Sequence, residues 1–220
     1  EPTIDYVVTK IPRFDFEKFP TSNGILGVQM QSVGEVMAIG RTFRESIQKA
    51  FRSLEVGLTG FQPKTTDKRP LDINKISFPT AFRLLKVWQA FNEGYSIDDL
   101  YEKTKIDKWF LYQIKILSKH NIKKLYENNE LFFLKKEGFS DLQIANALNL
   151  NENEIRNNRK NKKIIPTYKM VDTCAAEFKA QTPYCYSTYE TENEIIPFKE
   201  KSIMILGGGP NRIGQGIEFD

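Results

Sequence analysis

The chain has 220 residues, 40% hydrophobic and 27% charged, with a formal net charge of +4. That length holds one ordinary domain or two small ones with a real core, and 12% aromatic content excludes wholesale disorder. A mean hydropathy of -0.46 without an apolar run of about 18 residues excludes a membrane span, and two cysteines with the single His120 exclude a disulfide framework and a Cys/His zinc site.

Residues 1–61 read as α/β. Tyr6-Val7-Val8-Thr9 and Gly34 to Ile39 have the β-branched density of strands bounded by Pro and Gly. Thr42 opens a helix as a capping box, with Glu45 three residues on and able to reach back to the Thr42 amide. Phe43, Ile47, Ala50, Phe51 and Leu54 then share one stripe, Gly57 and Gly60 end the element, and Gln62 to Pro70 is the best linker.

Residues 71–165 read as all helix. Thr80 is expected to cap a helix whose Ala81, Leu84, Leu85, Trp88 and Phe91 share a face, closed by Gly94. Further starts fall at Ser96, Asp107, Ser140 and Asn151, each a short polar residue at the edge of an apolar-periodic run. A faint repeat has an offset of 44 residues, aligning Gly94-Tyr95-Ser96 with Gly138-Phe139-Ser140, Leu100 with Ile144, Ile106 with Leu150 and Asp107 with Asn151. Two stacked helical pairs are expected to bury Trp109, Phe110, Ile114, Leu131, Phe132 and Leu148 in a small bundle.

After Pro166 the segments Asp172–Phe178 and Tyr184–Tyr189 look like packed, extended connection. Lys201 to Leu206 reads as a buried strand running into Gly207-Gly208-Gly209-Pro210. That turn matches neither common phosphate fingerprint: a dinucleotide motif counted from Gly207 meets Arg212 at its sixth place. Counted from Gly209, Gln215 and Gly216 stand where a mononucleotide loop needs Lys and Ser/Thr. A tight first turn of an α/β domain, with Asn211, Arg212, Gln215 and Glu218 facing a cleft, fits better. A strand and turn without a following helix is not a complete unit. We expect a piece of a longer cytoplasmic chain, starting without methionine or signal peptide.

Residues 101–163 hold 14 Lys/Arg against 8 Asp/Glu, densest at Arg156 to Lys163. A basic helix-turn-helix-like nucleic-acid module is the alternative reading, against which a solvated helix face is the plainer one. His120 reads as a helix-terminal histidine rather than a base, and Cys174 and Cys185 as buried and inert.

Several strings in order resemble the large subunit of carbamoyl-phosphate synthase: Ile4–Phe14, Ser32–Arg41, Val171–Phe178 and Gly207–Asp220, with Thr104–Leu111, Gly138–Asp141 and Tyr186–Tyr189 between them. The resemblance implies mixed α/β fragments flanking an all-α helical bundle. Residues 1–61 would end the first ATP-grasp half, which makes carboxyphosphate. Residues 62–195 would form the helical oligomerisation domain with its trailing connection, and residues 196–220 would open the second, carbamoyl-phosphate half. It further implies magnesium or manganese and ATP in the intact subunit but not in this segment. The implied partners are the remaining domains, a glutaminase small subunit and further copies through the helical domain, with no nucleic acid and no membrane. No catalytic residue or metal ligand is carried over. Asn211, Gln215 and Glu218 match the turn facing the carbamate path, Met37 matches a strand near the internal tunnel, and Arg212 can instead hold the turn.

Overall fold

A computed structural model describes residues 5–18, 21–63, 71–179, 182–197, 201–207, 209 and 211–212. The chain opens with a β-hairpin, β1 (Val7–Arg13) antiparallel to β2 (Gly34–Gly40), in register from Val7 opposite Gly40 to Arg13 opposite Gly34. Alternation sets the two faces. Val36 and Ala38 are buried while Glu35 and Met37 point to the open face, where Lys10 and Glu35 pair at 2.7 Å.

The buried face is covered by α1 (Phe43–Ser53), whose Ile47, Ala50 and Phe51, with Leu54 beyond its end, are at most 3% exposed. Thr42 Oγ1 accepts from the Glu45 amide as expected, but the Glu45 carboxylate accepts from the Arg41 amide at 2.8 Å rather than from Thr42. The helix also stops before Gly57. Leu54 caps it and Glu55 takes the left-handed turn at φ 54°. Phe61 then plugs the core, 4.7 Å from the Phe51 ring and edge-on to Trp88 at 5.3 Å.

The helical part follows with α2 (Arg83–Asn92), α3 (Ile97–Thr104), α4 (Lys108–Lys119), α5 (Ile122–Glu127), α6 (Leu131–Lys136), α7 (Asp141–Leu148) and α8 (Glu152–Asn161). Thr80 does not cap α2: its residue bridges to Ile25, and the helix begins at Arg83 with no side-chain cap. Gly94 does close it, at φ 98°. Ser96, Asp107, Ser140 and Asn151 are all N-caps whose side chains accept backbone N–H bonds.

The repeat is real in the backbone. Lys105 and Asn149, 44 positions apart, both end their helices left-handed at φ 55°, and Leu100 and Ile144 are both fully buried. The expected shared core is only half there. Ile114 and Leu131 are buried, but Trp109, Phe110 and Phe132 are 52%, 43% and 39% exposed and Leu148 is partly buried. Periodicity fixes which face is apolar but not what lies against it.

A second hairpin, β3 (Thr167–Met170) antiparallel to β4 (Cys185–Thr188), packs beside β2 and is bonded to Glu45 and Lys49 of α1 through Thr188 and Ser187. Cys185 is exposed and Cys174 partly so, correcting the expectation that both are buried, since neither falls on an inward face. Residues 201–206 are not a buried strand: Ile203, Met204, Ile205 and Leu206 are 83–92% exposed and pair with no strand among the described residues. A strand forms only where a neighbour takes its backbone bonds. Asn211–Arg212 does pair, as β5, with Gly34–Glu35 at the start of β2.

Candidate functional site

Where β2, α1, the α6–α7 corner and β4 meet, charged side chains are buried together. Glu45 is 1% exposed, and its Oε2 accepts from the Arg41 amide and, at 3.0 Å, from the Thr188 hydroxyl. One turn on, Lys49 Nζ pairs with Glu45 at 2.7 Å and donates to the carbonyls of Ile39 and Ser187 at 2.8 and 2.5 Å. One ammonium thus ties α1 to a strand of each hairpin. Burial pushes the Lys49 ammonium below its ordinary pKa, and Glu45 opposes that shift.

Lys135, the last-turn residue of α6, is 6% exposed and donates to Phe139 O and Asp141 Oδ1, both at 2.7 Å. Burial lowers its pKa to about 8, against the pull of Asp141. Asp141 opens α7 and also receives Arg159 of α8 at 3.0 Å. Burial alone would raise the Asp141 carboxyl, yet Lys135 and Arg159 hold it below the usual carboxylate range. The Tyr189 ring covers the pair, 5.2 Å from Lys135 Nζ and 5.8 Å from the Arg159 guanidinium. Arg52 donates to the Gly138 carbonyl at 2.9 Å, and burial lowers its pKa.

A second node joins α1 to α4 and α6. Arg44 forks onto Glu137 at 2.5 and 2.9 Å and reaches Gln113 at 2.6 Å, while His120 Nε2 lies 3.2 Å from the same carboxylate. Burial would raise Glu137, but His120 and Arg44 hold it down. His120 is thus a helix-terminal residue with a carboxylate partner, edge-on to Phe133 at 5.3 Å.

The outer face of α4 is aromatic. Phe43, Trp109 and Phe110 form a triangle with centroid separations of 5.0–5.6 Å, and Tyr112, 52% exposed, stands one turn on.

Of the residues expected to face a tunnel or substrate, Met37 is 63% exposed on the open face of β2, opposite Lys10. Asn211 pairs through its backbone with Glu35, so it lies at the same sheet edge. Gln215 and Glu218 lie outside the described residues. The basic run is partly consumed internally: Arg159 on Asp141, Arg156 on Glu152 at 2.8 Å, Lys119 on the Phe91 carbonyl at 2.7 Å. Sequence reasoning missed the buried node altogether. Asp141 reads as first-turn acid after a Ser cap and Arg159 as part of a solvated run. The one available signal is Lys135 directly after the apolar Leu131–Leu134.

Compared with known proteins, residues 35–163 match the family model described as "Carbamoyl-phosphate synthetase large chain, oligomerisation domain". Curated relatives match over the whole chain. The carbamoyl phosphate synthase large chains of Pseudomonas aeruginosa and Archaeoglobus fulgidus are each 52% identical, and the arginine-specific chloroplastic large chain of Arabidopsis thaliana is 49% identical. The chain spans about a fifth of their length, at 21%, 22% and 19%. With over half of its residues inside that one match, the chain belongs to the carbamoyl-phosphate synthase large-chain family and contains its oligomerisation domain.

Proposed function

We propose that this chain is the central segment of a large chain that makes carbamoyl phosphate from bicarbonate, ammonia released from glutamine and two ATP, for arginine and pyrimidine synthesis. In this reading residues 1–61 end the carboxyphosphate half, 62–195 are the oligomerisation domain with its trailing connection, and 196–220 open the second ATP-grasp half. The segment's work is to join the halves and to offer contacts to other copies. A glutaminase small subunit and the remaining large-chain domains are the partners.

The observation that carries the linking role is the β2–β5 pairing, Gly34 opposite Arg212 and Glu35 opposite Asn211. Strands that precede and follow the helical domain thereby share one sheet, and Asn211 stands opposite Glu35, two residues before Met37 on the same strand. That proximity supports assigning Met37, Asn211, Gln215 and Glu218 to the path between the halves. Magnesium or manganese and ATP belong to the intact large chain. Among the described residues no group of three His, Cys, Asp or Glu side chains is spaced to hold a metal ion, so these residues do not fit that group and no step is assigned through one.

The test is a segment exchange. The corresponding fifth of the Pseudomonas aeruginosa large chain is replaced by these 220 residues in a strain lacking its own large chain. Growth without arginine and uracil is expected. A stably expressed chimera that leaves both requirements in place refutes the reading.

A further inference from the structure

Lys49 and Lys135 are both buried and both pushed below the ordinary lysine pKa by desolvation, yet their bonding differs. Lys49 Nζ meets three acceptors, Glu45 and the carbonyls of Ile39 and Ser187, so losing a proton costs it a bond. Lys135 Nζ meets two among the described residues, Phe139 O and Asp141 Oδ1, both at 2.7 Å. A neutral amine has two N–H groups and one lone pair. Lys135 can therefore give up its third proton and keep both bonds, which leaves its lone pair unengaged.

The amine borders open space. Lys135 lines a cavity of about 250 Å³ with Arg52, Ser140, Thr188 and Tyr189, and the wall includes Tyr168, 46% exposed, so the cavity reaches solvent. Its charges balance, with Glu45, Asp141 and Glu152 against Lys49, Arg52 and Lys135. It thus favours no anion, and its size admits a neutral reagent of roughly three or four heavy atoms. With a pKa of about 8, roughly a quarter of Lys135 is free amine at pH 7.5, against about a thousandth of an ordinary lysine.

We propose that Lys135 is a modification site, whose amine takes up a carbamoyl group from a neutral donor in this cavity. The lone pair forms a new C–N bond to the carbon of isocyanic acid. The C=N π pair of the reagent takes up a proton, the amine gives one up, and a neutral urea results with nothing released. Carbamoyl phosphate yields that reagent by breaking its C–O bond, the electron pair and one N–H proton leaving with phosphate. This source rests on the parent product proposed above, whereas the site rests on the geometry alone. The urea keeps three N–H donors, so Phe139 O and Asp141 stay satisfied, and Arg52 on the same wall can donate to its carbonyl oxygen. What changes is charge. Asp141 is left to Arg159 and to the more distant Arg52, which loosens the corner joining α6, α7 and α8.

The test treats the folded 220-residue chain briefly with cyanate at pH 7.5 and reads each lysine by peptide mass spectrometry. Lys135 is expected to gain the urea at least about fivefold faster than the median lysine, and Lys49 more slowly than that median. That lead is set below the ratio of free amines because a less basic amine attacks more slowly. In guanidinium chloride it should vanish, since it comes from the fold. Carbamoyl phosphate in place of cyanate should give the same order. Lys135 at or below the median, Lys49 as fast as Lys135, or a lead that survives unfolding overturns the site. Labelling by cyanate but not by carbamoyl phosphate overturns the assigned donor. If the segment exchange fails while Lys135 still leads, the parent reading falls and the site stands.

Discussion

Gly138 sits where a side chain has no room. Its φ is +90°, and a Cβ built on it lies 2.9 Å from the Cα of Glu45 and 3.0 Å from its carbonyl oxygen. Those are backbone atoms of a helix whose Glu45 side chain is itself tied to the Arg41 amide and to Thr188. Strain and overlap add here, so Gly138→Ala should lower stability by about 3 kcal/mol, read from urea unfolding at unchanged slope. Lys135 gives a pH signature. Its folded-state pKa of about 8 lies below the 10.5 of an ordinary lysine, so between those values the unfolded chain holds more protons and stability rises with pH. Below about 8 both states are protonated and the full penalty of the buried ammonium applies. The rise from this group is bounded at about 3 kcal/mol by the shift itself. Lys49 contributes with the same sign, whereas Tyr186 and Tyr189, both raised by burial, act oppositely only above their ordinary range. Lys135→Met should flatten the slope of stability against pH from 8 to 10, and an undiminished slope would show that another group is responsible.

At the scale of elements, the two helical pairs test what local chemistry decides. Ser96 caps α3 in a full capping box, and its loss in Ser96→Ala should cost about 1 kcal/mol. Ser140 caps α7 through the Gln143 amide alone, without the reciprocal bond, but its hydroxyl also donates to Thr59 O at 2.8 Å, so Ser140→Ala should cost more, about 2 kcal/mol, by the same unfolding assay. Lys105 takes the left-handed conformation that glycine adopts without penalty, and its partners, Glu102 at 2.7 Å and the Tyr101 ring at 5.3 Å, are met on a largely exposed side chain. Lys105→Gly should therefore stabilise by about 0.5 kcal/mol, with Asn149→Gly near neutral because Asn tolerates that turn. These caps, and the repeat they punctuate, were legible because an N-cap needs only residues within one turn of itself. Features that need distant partners were not. Thr80 looks like a cap until its bridge to Ile25 is seen, and Lys201 to Leu206 has the composition of a strand without a described neighbour to pair with. The charged node was hidden for the same reason, because Glu45, Lys135, Asp141 and Thr188 converge from positions up to 143 residues apart.

For the molecule as a whole, the aromatic face of α4 is a cluster of large rings left partly in water on a well-packed helix. Trp109 and Phe110 remain 52% and 43% exposed, although their rings pack edge-on against each other and on Phe43. Exposed aromatic clusters of this kind mark contact surfaces, because large rigid rings give much burial for little lost side-chain freedom. If the helical domain contacts other copies through this face, the chain should show concentration-dependent association in sedimentation velocity. Trp109→Gln together with Phe110→Gln should weaken it by at least tenfold. Stability should fall by only about 1 kcal/mol, since half of each ring is already in water and the core residue Leu111 beside them is untouched. The salt response separates this face from the basic helices. Association through rings should persist or strengthen as salt rises, whereas association through the lysines and arginines of residues 101–163 should fade as its charges are screened. A double variant that associates as tightly as the parent chain would move the contact surface elsewhere on the bundle.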